Sequence, residues 1–336
     1  MPITRSLMTA KGKPAKTGAL SGTSTIATGN RPRNVTISAD GTSVYVANYT
    51  SNTVSIFSRN TSTGALSGTS TIATGAIPYG ICISADGTSV YATNSSSNTV
   101  SIFSRNTSTG ALSGTGTIAT GSRPWGICIS ADGTSVYVVN QSSNTVSIFS
   151  RNTSTGALSG TGTIATGSSP QEICISQDGT SVYVTNVLSN TVSIFSRNTS
   201  TGALSGTSTI ATGSRPWGIC ISADGTSVYV VNQSSNTVSI FSRDTSTGTL
   251  SGTSTIATGT LPYGICISAD GTSVYVANYT SNTVSIFSRN TSTGALSGTS
   301  TIATGSSPFG ICISADGNNV YVANNISNTA SIFTRS

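Results

Sequence analysis

The chain has no histidine, one glutamate and only 7% charged residues among its 336. Histidine is the side chain best placed for proton transfer near neutrality and the commonest metal ligand. Its absence weighs against acid/base catalysis and against a metal centre, so no metal or cofactor is expected. Long apolar runs are also missing. No stretch approaches a membrane span, and the N-terminal MPITRSLMTAKGKPAK lacks the apolar segment of a signal peptide. The expectation is a soluble cytoplasmic protein, although a fragment of an exported protein would read the same.

The formal charge of +6 looks like a nucleic-acid signal until it is located. Arg5, Lys11, Lys13 and Lys16 fall in the first 16 residues, and the remainder carries 11 basic against 9 acidic groups. Residues 1–16 are therefore read as a basic leader, disordered or loosely attached, and no specific nucleic-acid partner is expected. The six cysteines, Cys82, Cys128, Cys174, Cys220, Cys266 and Cys312, are evenly spaced, with Thr36 at the equivalent place in the first copy. That spacing makes them one strand position copied six times, used in packing between repeats, and not a disulfide framework.

What the chain has in abundance is repetition. Pro32, Pro78, Pro124, Pro170, Pro216, Pro262 and Pro308 follow one another at intervals of 46 residues, each heading a nearly identical segment. A period of this length marks a repeat architecture. In the second copy, Ile81–Ser84 alternates and Asp86-Gly87 supplies a hairpin turn. Ser89–Asn94 and Asn98–Arg105 are β-rich, and Leu112–Ala119 is a weaker fourth strand. Seven four-stranded units predict an all-β, seven-bladed β-propeller spanning residues 17–336 as one domain. The last copy stops after its third strand, while Thr17–Gly29 is an isolated fourth-strand sequence. The N-terminal segment is thus expected to complete the last blade as its outer strand and leave a monomeric ring.

Segments such as PYGICISADGTSVYVAN and NTVSIFSR resemble the YVTN-type propeller repeat. NTVSIFSRNTSTGALS is also similar to 6-phosphogluconolactonase-type lactonase propellers. The resemblance implies the fold and, for the lactonases, sugar-lactone hydrolysis.

Function is sought where the copies differ. Differences concentrate beside the proline and just after the Asn that ends the second strand, two connections that emerge at the same end of a blade. Fourteen of the 21 aromatic residues are repeated Tyr and Phe; the other seven, Tyr49, Tyr79, Trp125, Trp217, Tyr263, Tyr279 and Phe309, all lie at these variable sites. So do Arg31, Arg33, Arg123 and Arg215, the basic residues outside the leader and the repeated Arg series. Gln141, Gln171, Gln233 and Glu172 complete the set. Exposed rings for stacking, guanidinium donors for anions and amides for hydroxyls compose a recognition face.

Three functions follow. The first is a non-enzymatic propeller that binds a glycan, another hydroxylated or anionic ligand, or a protein on this face. The second is a lactonase-like hydrolase centred on Glu172, with Arg123 or Arg215 stabilising the oxyanion; alternatively Glu172 fixes an Arg by ion pairing. The third is a recently amplified or engineered ring with no evolved ligand, suggested by segments shared between blades, such as SRPWG at Ser122–Gly126 and Ser214–Gly218.

Overall fold

The second strand of each repeat explains the architecture. In Ser43–Asn48 every residue is buried, because the strand has a neighbour on both faces. Val44 and Val46 pack against the last blade, while Tyr45 and Ala47 pack against the second. Successive strand residues point to opposite faces, so the sequence SVYVAN feeds two interfaces at once. The apolar core is accordingly divided into layers between adjacent blades around the ring.

The computed structural model describes residues 16–336, which form seven four-stranded antiparallel sheets. Residues 1–15 of the expected leader lie outside the described residues. In the second blade the strands are Pro78–Ile83, Ser89–Asn94, Thr99–Arg105 and Leu112–Ala119, from the channel outward. The first strand starts earlier than the alternation alone suggests, because proline is tolerated as the opening residue of a strand. A bulge between Pro78 and Ile81, repeated in every blade, carries the two residues after the proline. The fourth strand touches the core only through its Leu and Ile and otherwise exposes Ser, Thr and Gly, as suits an outer edge.

The ring closes as expected. Leu20–Ala27 pairs with Thr329–Arg335, Leu20 opposite Arg335 and Ala27 opposite Thr329. This is the register of the internal copies, where Leu66 faces Arg59 and Ala73 faces Thr53. Gly18 N–H donates to Ser336 O at 2.9 Å, and the Tyr275 hydroxyl donates to Gly18 O at 2.8 Å.

At the ends of the blades away from the prolines, the Asp-Gly turns do more than shape hairpins. Each repeated Arg reaches into the preceding blade. Arg105 donates from Nε to Tyr45 Oη at 2.7 Å and from Nη2 to Asp40 Oδ2 at 3.0 Å, while its Nη1 caps Gly87 O in its own blade. Seven such Arg–Asp latches encircle the molecule, with each Arg side chain buried and each Asp part-exposed. They are the ion pairs among the described residues. The cysteines pack against the layers between blades, as expected. Burial pushes the thiols of Cys82, Cys220 and Cys312 up to about 12, which leaves them inert.

Candidate functional site

The two variable connections do share one face, and hydrogen bonds join them. The residue before each proline adopts a left-handed backbone, with φ from 52° at Arg31 to 60° at Ile77. Left-handed geometry is unfavourable for most side chains and an outlier for a β-branched one. It persists because the neighbouring blade holds it: Ile77 N–H donates to Asn52 Oδ1 at 2.7 Å, and Arg123 N–H to Asn98 Oδ1 at 2.8 Å. The carbonyl of the same residue then accepts the N–H that follows the second-strand Asn, as in Tyr49 N–H to Arg31 O at 3.0 Å. Strain of this kind, repeated in all seven blades, is a feature of sites that need a fixed geometry.

The bulge directs the residues after the prolines toward the ring axis, where they meet. Tyr79 lies on Trp125 with ring centroids 4.0 Å apart, Tyr263 stacks on Phe309 at 4.4 Å, and Trp217 meets Tyr263 edge-on at 4.8 Å. Phe309 also approaches Tyr79 and Trp217, contacts between non-sequential blades. Tyr49, Tyr279 and Val187 extend the cluster from the second connection. All seven surplus aromatics are thus brought together; Tyr49, Trp125, Tyr263 and Tyr279 keep part of their surface exposed, whereas Tyr79, Trp217 and Phe309 are buried, contrary to the expectation of exposed faces. Tyr79 is 1% exposed and Trp217 8%. Seven inner strands converge on a narrow axis, so rings that would be exposed on a lone blade bury one another.

Arg33 joins the cluster from the first blade. Its guanidinium carbon lies 4.4 Å from the Phe309 ring centroid, 4.8 Å from Tyr49 and 5.7 Å from Tyr79. Arg31, Arg123 and Arg215 are exposed, with Arg123 beside Trp125. Gln171 and Gln233 are buried, and Gln233 Nε2 donates to Tyr263 Oη at 2.5 Å. Gln141 is half-buried.

Behind the rings, the channel encloses a cavity of about 90 Å³. Trp217, Tyr263 and Phe309 border it, Ile219, Ile265 and Ile311 form its apolar wall, and Glu172 and Asn34 enter it from other blades. Asn34 and Glu172 occupy the second position after the proline, which is glycine in the other five copies. Glycine is required there by crowding: a Cβ at Gly218 would stand 2.3 Å from Tyr263 O, and one at Gly126 would stand 2.6 Å from Gln171 O. Burial pushes the Glu172 carboxyl up to about 7, and a hydrogen bond from the Ile173 N–H offsets only part of that. Glu172 makes no ion pair, so neither expected partnership, with Arg123 or with Arg215, is formed. Arg123 and Arg215, before their prolines, are exposed to solvent, whereas Glu172 lies inside the channel.

Models of the lactonase family with a seven-bladed β-propeller match residues 12–82, 73–171, 160–263 and 255–336. The chain belongs to this lactonase propeller family. A candidate 6-phosphogluconolactonase of Bacteroides fragilis superposes on the lactonase-family propeller with a TM-score of 0.74 at 25% identity, covering 83% of this chain and 86% of that one. The periplasmic gluconolactonase of Pseudomonas aeruginosa gives 0.73 at 20% identity, over 82% and 86%. Hydrazine synthase of Kuenenia stuttgartiensis shares the fold at 0.73 and 20% identity, over 98% and 99%. Comparison with curated proteins returned no match.

Two features of this lactonase-family site escaped the reading of variable positions. Asn34 shares the cavity with Glu172, and its signal was a second departure from glycine in the same ring of positions. The other is a pair of threonines. Thr185 Oγ1 accepts from Glu172 N–H at 3.1 Å and donates to Trp217 O at 2.7 Å. Thr93 does the same for Gly80 and Trp125. The equivalent residue is Ala or Val in the other five blades, and both tryptophans follow a threonine-bearing blade.

Proposed function

We propose that this propeller hydrolyses a small lactone at the channel mouth, with Glu172 as general base. The observation that carries the reading is Glu172 itself, a carboxylate in the channel cavity whose pKa is raised to about 7, near the value that serves proton transfer best at neutral pH. Family membership and the lactonase names of two structural relatives support it. The cavity has room for a few water molecules. Glu172 would take a proton from one of them as its oxygen attacks the lactone carbonyl. The indole N–H of Trp217, at the border of the cavity, is a donor for the oxyanion that forms. Collapse breaks the ring C–O bond, and Glu172 returns the proton to the departing alkoxide, giving a hydroxy acid.

A second reading, recognition of a glycan or protein without turnover, is favoured by the cavity's size. At about 90 Å³ it falls well below the ~300 Å³ at which small-molecule sites begin, so a ligand would rest on the ring cluster or displace part of it. Turnover of a panel of sugar lactones by the wild type and by Glu172→Gln decides between them. Hydrolysis abolished by the substitution supports the first reading. Saturable binding without hydrolysis supports the second.

A further inference from the structure

We infer that the ring cluster around Arg33 is a binding subsite for the carboxylate of a monoanionic ligand. Arg33 takes part in none of the seven ion pairs, and its guanidinium is held only against the faces of Phe309, Tyr49 and Tyr79. Its Nε is buried without a hydrogen-bond partner. The same holds for Tyr79 Oη, Trp125 Nε1 and Trp217 Nε1. The Trp217 N–H lies close enough to Tyr79 Oη to favour its anion, yet neither atom completes a hydrogen bond.

An indole N–H and a guanidinium N–H can only donate, so an acceptor alone satisfies them. Buried donors left unpaired are costly, and natural interiors contain few. Here three donor-only groups, Arg33 Nε, Trp125 Nε1 and Trp217 Nε1, sit in one contiguous cluster with the Tyr79 hydroxyl, which can donate or accept, Tyr79 packed on Trp125 and Trp125 next to Trp217 at 5.6 Å. The unpartnered acceptors in the neighbourhood, Gln141 Oε1 and Gln171 Oε1, are two. An excess of donors around one cation fits an oxyanion. One formal positive charge, with the carboxyl of Glu172 close behind, suits a single negative charge better than a dianion. The subsite shares the Trp217 donor with the hydrolysis proposed above, but a carboxylate can bind there whether or not an ester is turned over. If lactones are opened here, the acid produced carries the group that this subsite accepts.

Titration with gluconate, sorbitol and inorganic phosphate, followed by tryptophan fluorescence and calorimetry, tests the assignment. Both tryptophans of the chain lie in the cluster, so the optical signal reports it directly. Gluconate should bind saturably, and more tightly than sorbitol, its uncharged polyol counterpart, or phosphate at pH 8, where it is a dianion. Arg33→Gln should weaken gluconate at least about tenfold, the scale of a lost charged hydrogen bond. Arg31→Gln removes the same charge from the exposed loop and should change affinity less than about twofold. Trp217→Phe keeps a ring and deletes a donor. It should weaken gluconate several-fold, which covers the case in which Arg33→Gln fails to fold. The inference is overturned by no gluconate binding, by equal losses in Arg31→Gln and Arg33→Gln, by sorbitol matching gluconate, or by phosphate exceeding it.

Discussion

Acidification should open the ring at its latches. At Asp40 partial burial works against the carboxylate, but hydrogen bonds from Ser38, Thr42 and Arg105 together outweigh it and hold the pKa at about 2. Asp86, Asp132, Asp178 and Asp316 are likewise held at about 2, and Asp224 and Asp270 lie lower still. In the unfolded chain all seven titrate near ~3.9. A carboxylate depressed in the folded state stabilises the fold above its unfolded pKa, and that stabilisation vanishes as pH falls through the folded value. The window is therefore about pH 4 to about pH 2. A shift of roughly two units corresponds to about 2.5 kcal/mol per group. The Asp side chains keep 36–42% of their surface exposed, and screening reduces the figure to roughly 1 kcal/mol each. The seven Asp turns, in which the Arg latch is one hydrogen bond beside those of the turn's own Ser and Thr, then contribute on the order of 7 kcal/mol, comparable with the whole stability of many domains. Urea unfolding at pH 7, 4, 3 and 2 measures this. Asp86→Asn should lose about 1 kcal/mol at pH 7 and show a shallower acid loss. A stability that stays flat from pH 5 to pH 2 would mean that the Asp turns and their Arg latches together contribute no net energy.

Three other expectations concern the fold. Trp217→Ala should cost about 3 kcal/mol in urea unfolding, because a large buried ring leaves a cavity; unchanged stability would contradict the packing of rings across the channel. Ile77→Asn should raise stability by up to about 1 kcal/mol, since asparagine accepts the left-handed backbone that strains a β-branched residue. A lower melting temperature would refute that. Deleting residues 1–29 removes the closing strand and bares the edge of Thr329–Arg335, so light scattering should detect oligomers or aggregates. A monomer with an unchanged melting temperature would show that closure lies elsewhere.

The fold was legible because repetition exposes it. A strict interval, an Asp-Gly turn in each copy and a spare fourth strand at the N-terminus leave little other than a closed ring. Comparing copies also picked out the residues that meet at the channel, since Tyr79, Trp125, Trp217, Tyr263, Phe309, Arg33 and Glu172 all stand where the blades differ. Their depth was not legible. A position one or two residues after a proline looks like a surface loop in one blade, and only the convergence of seven inner strands turns it inward. The latches were hidden for a related reason: Arg105 and Asp40 are 65 residues apart, and within one repeat they look like ordinary turn and strand-end residues. Thr93 and Thr185 differed visibly from their counterparts, but the meaning of that difference depends on the next blade's backbone.

The central claim is that Glu172 performs proton transfer in the channel, and the pH dependence of kcat/KM for glucono-δ-lactone, corrected for spontaneous hydrolysis, tests it most directly. A general base must be ionised, so activity should rise with pH through about 7 and be lost in Glu172→Gln. Because the folded state favours the protonated carboxyl, ionised Glu172 destabilises the fold increasingly as pH rises through about 7. Glu172→Gln should therefore be more stable than the wild type at pH 8, by up to about 3 kcal/mol. That gain separates loss of the base from loss of the fold. Turnover that survives Glu172→Gln with an unaltered pH profile would contradict the claim.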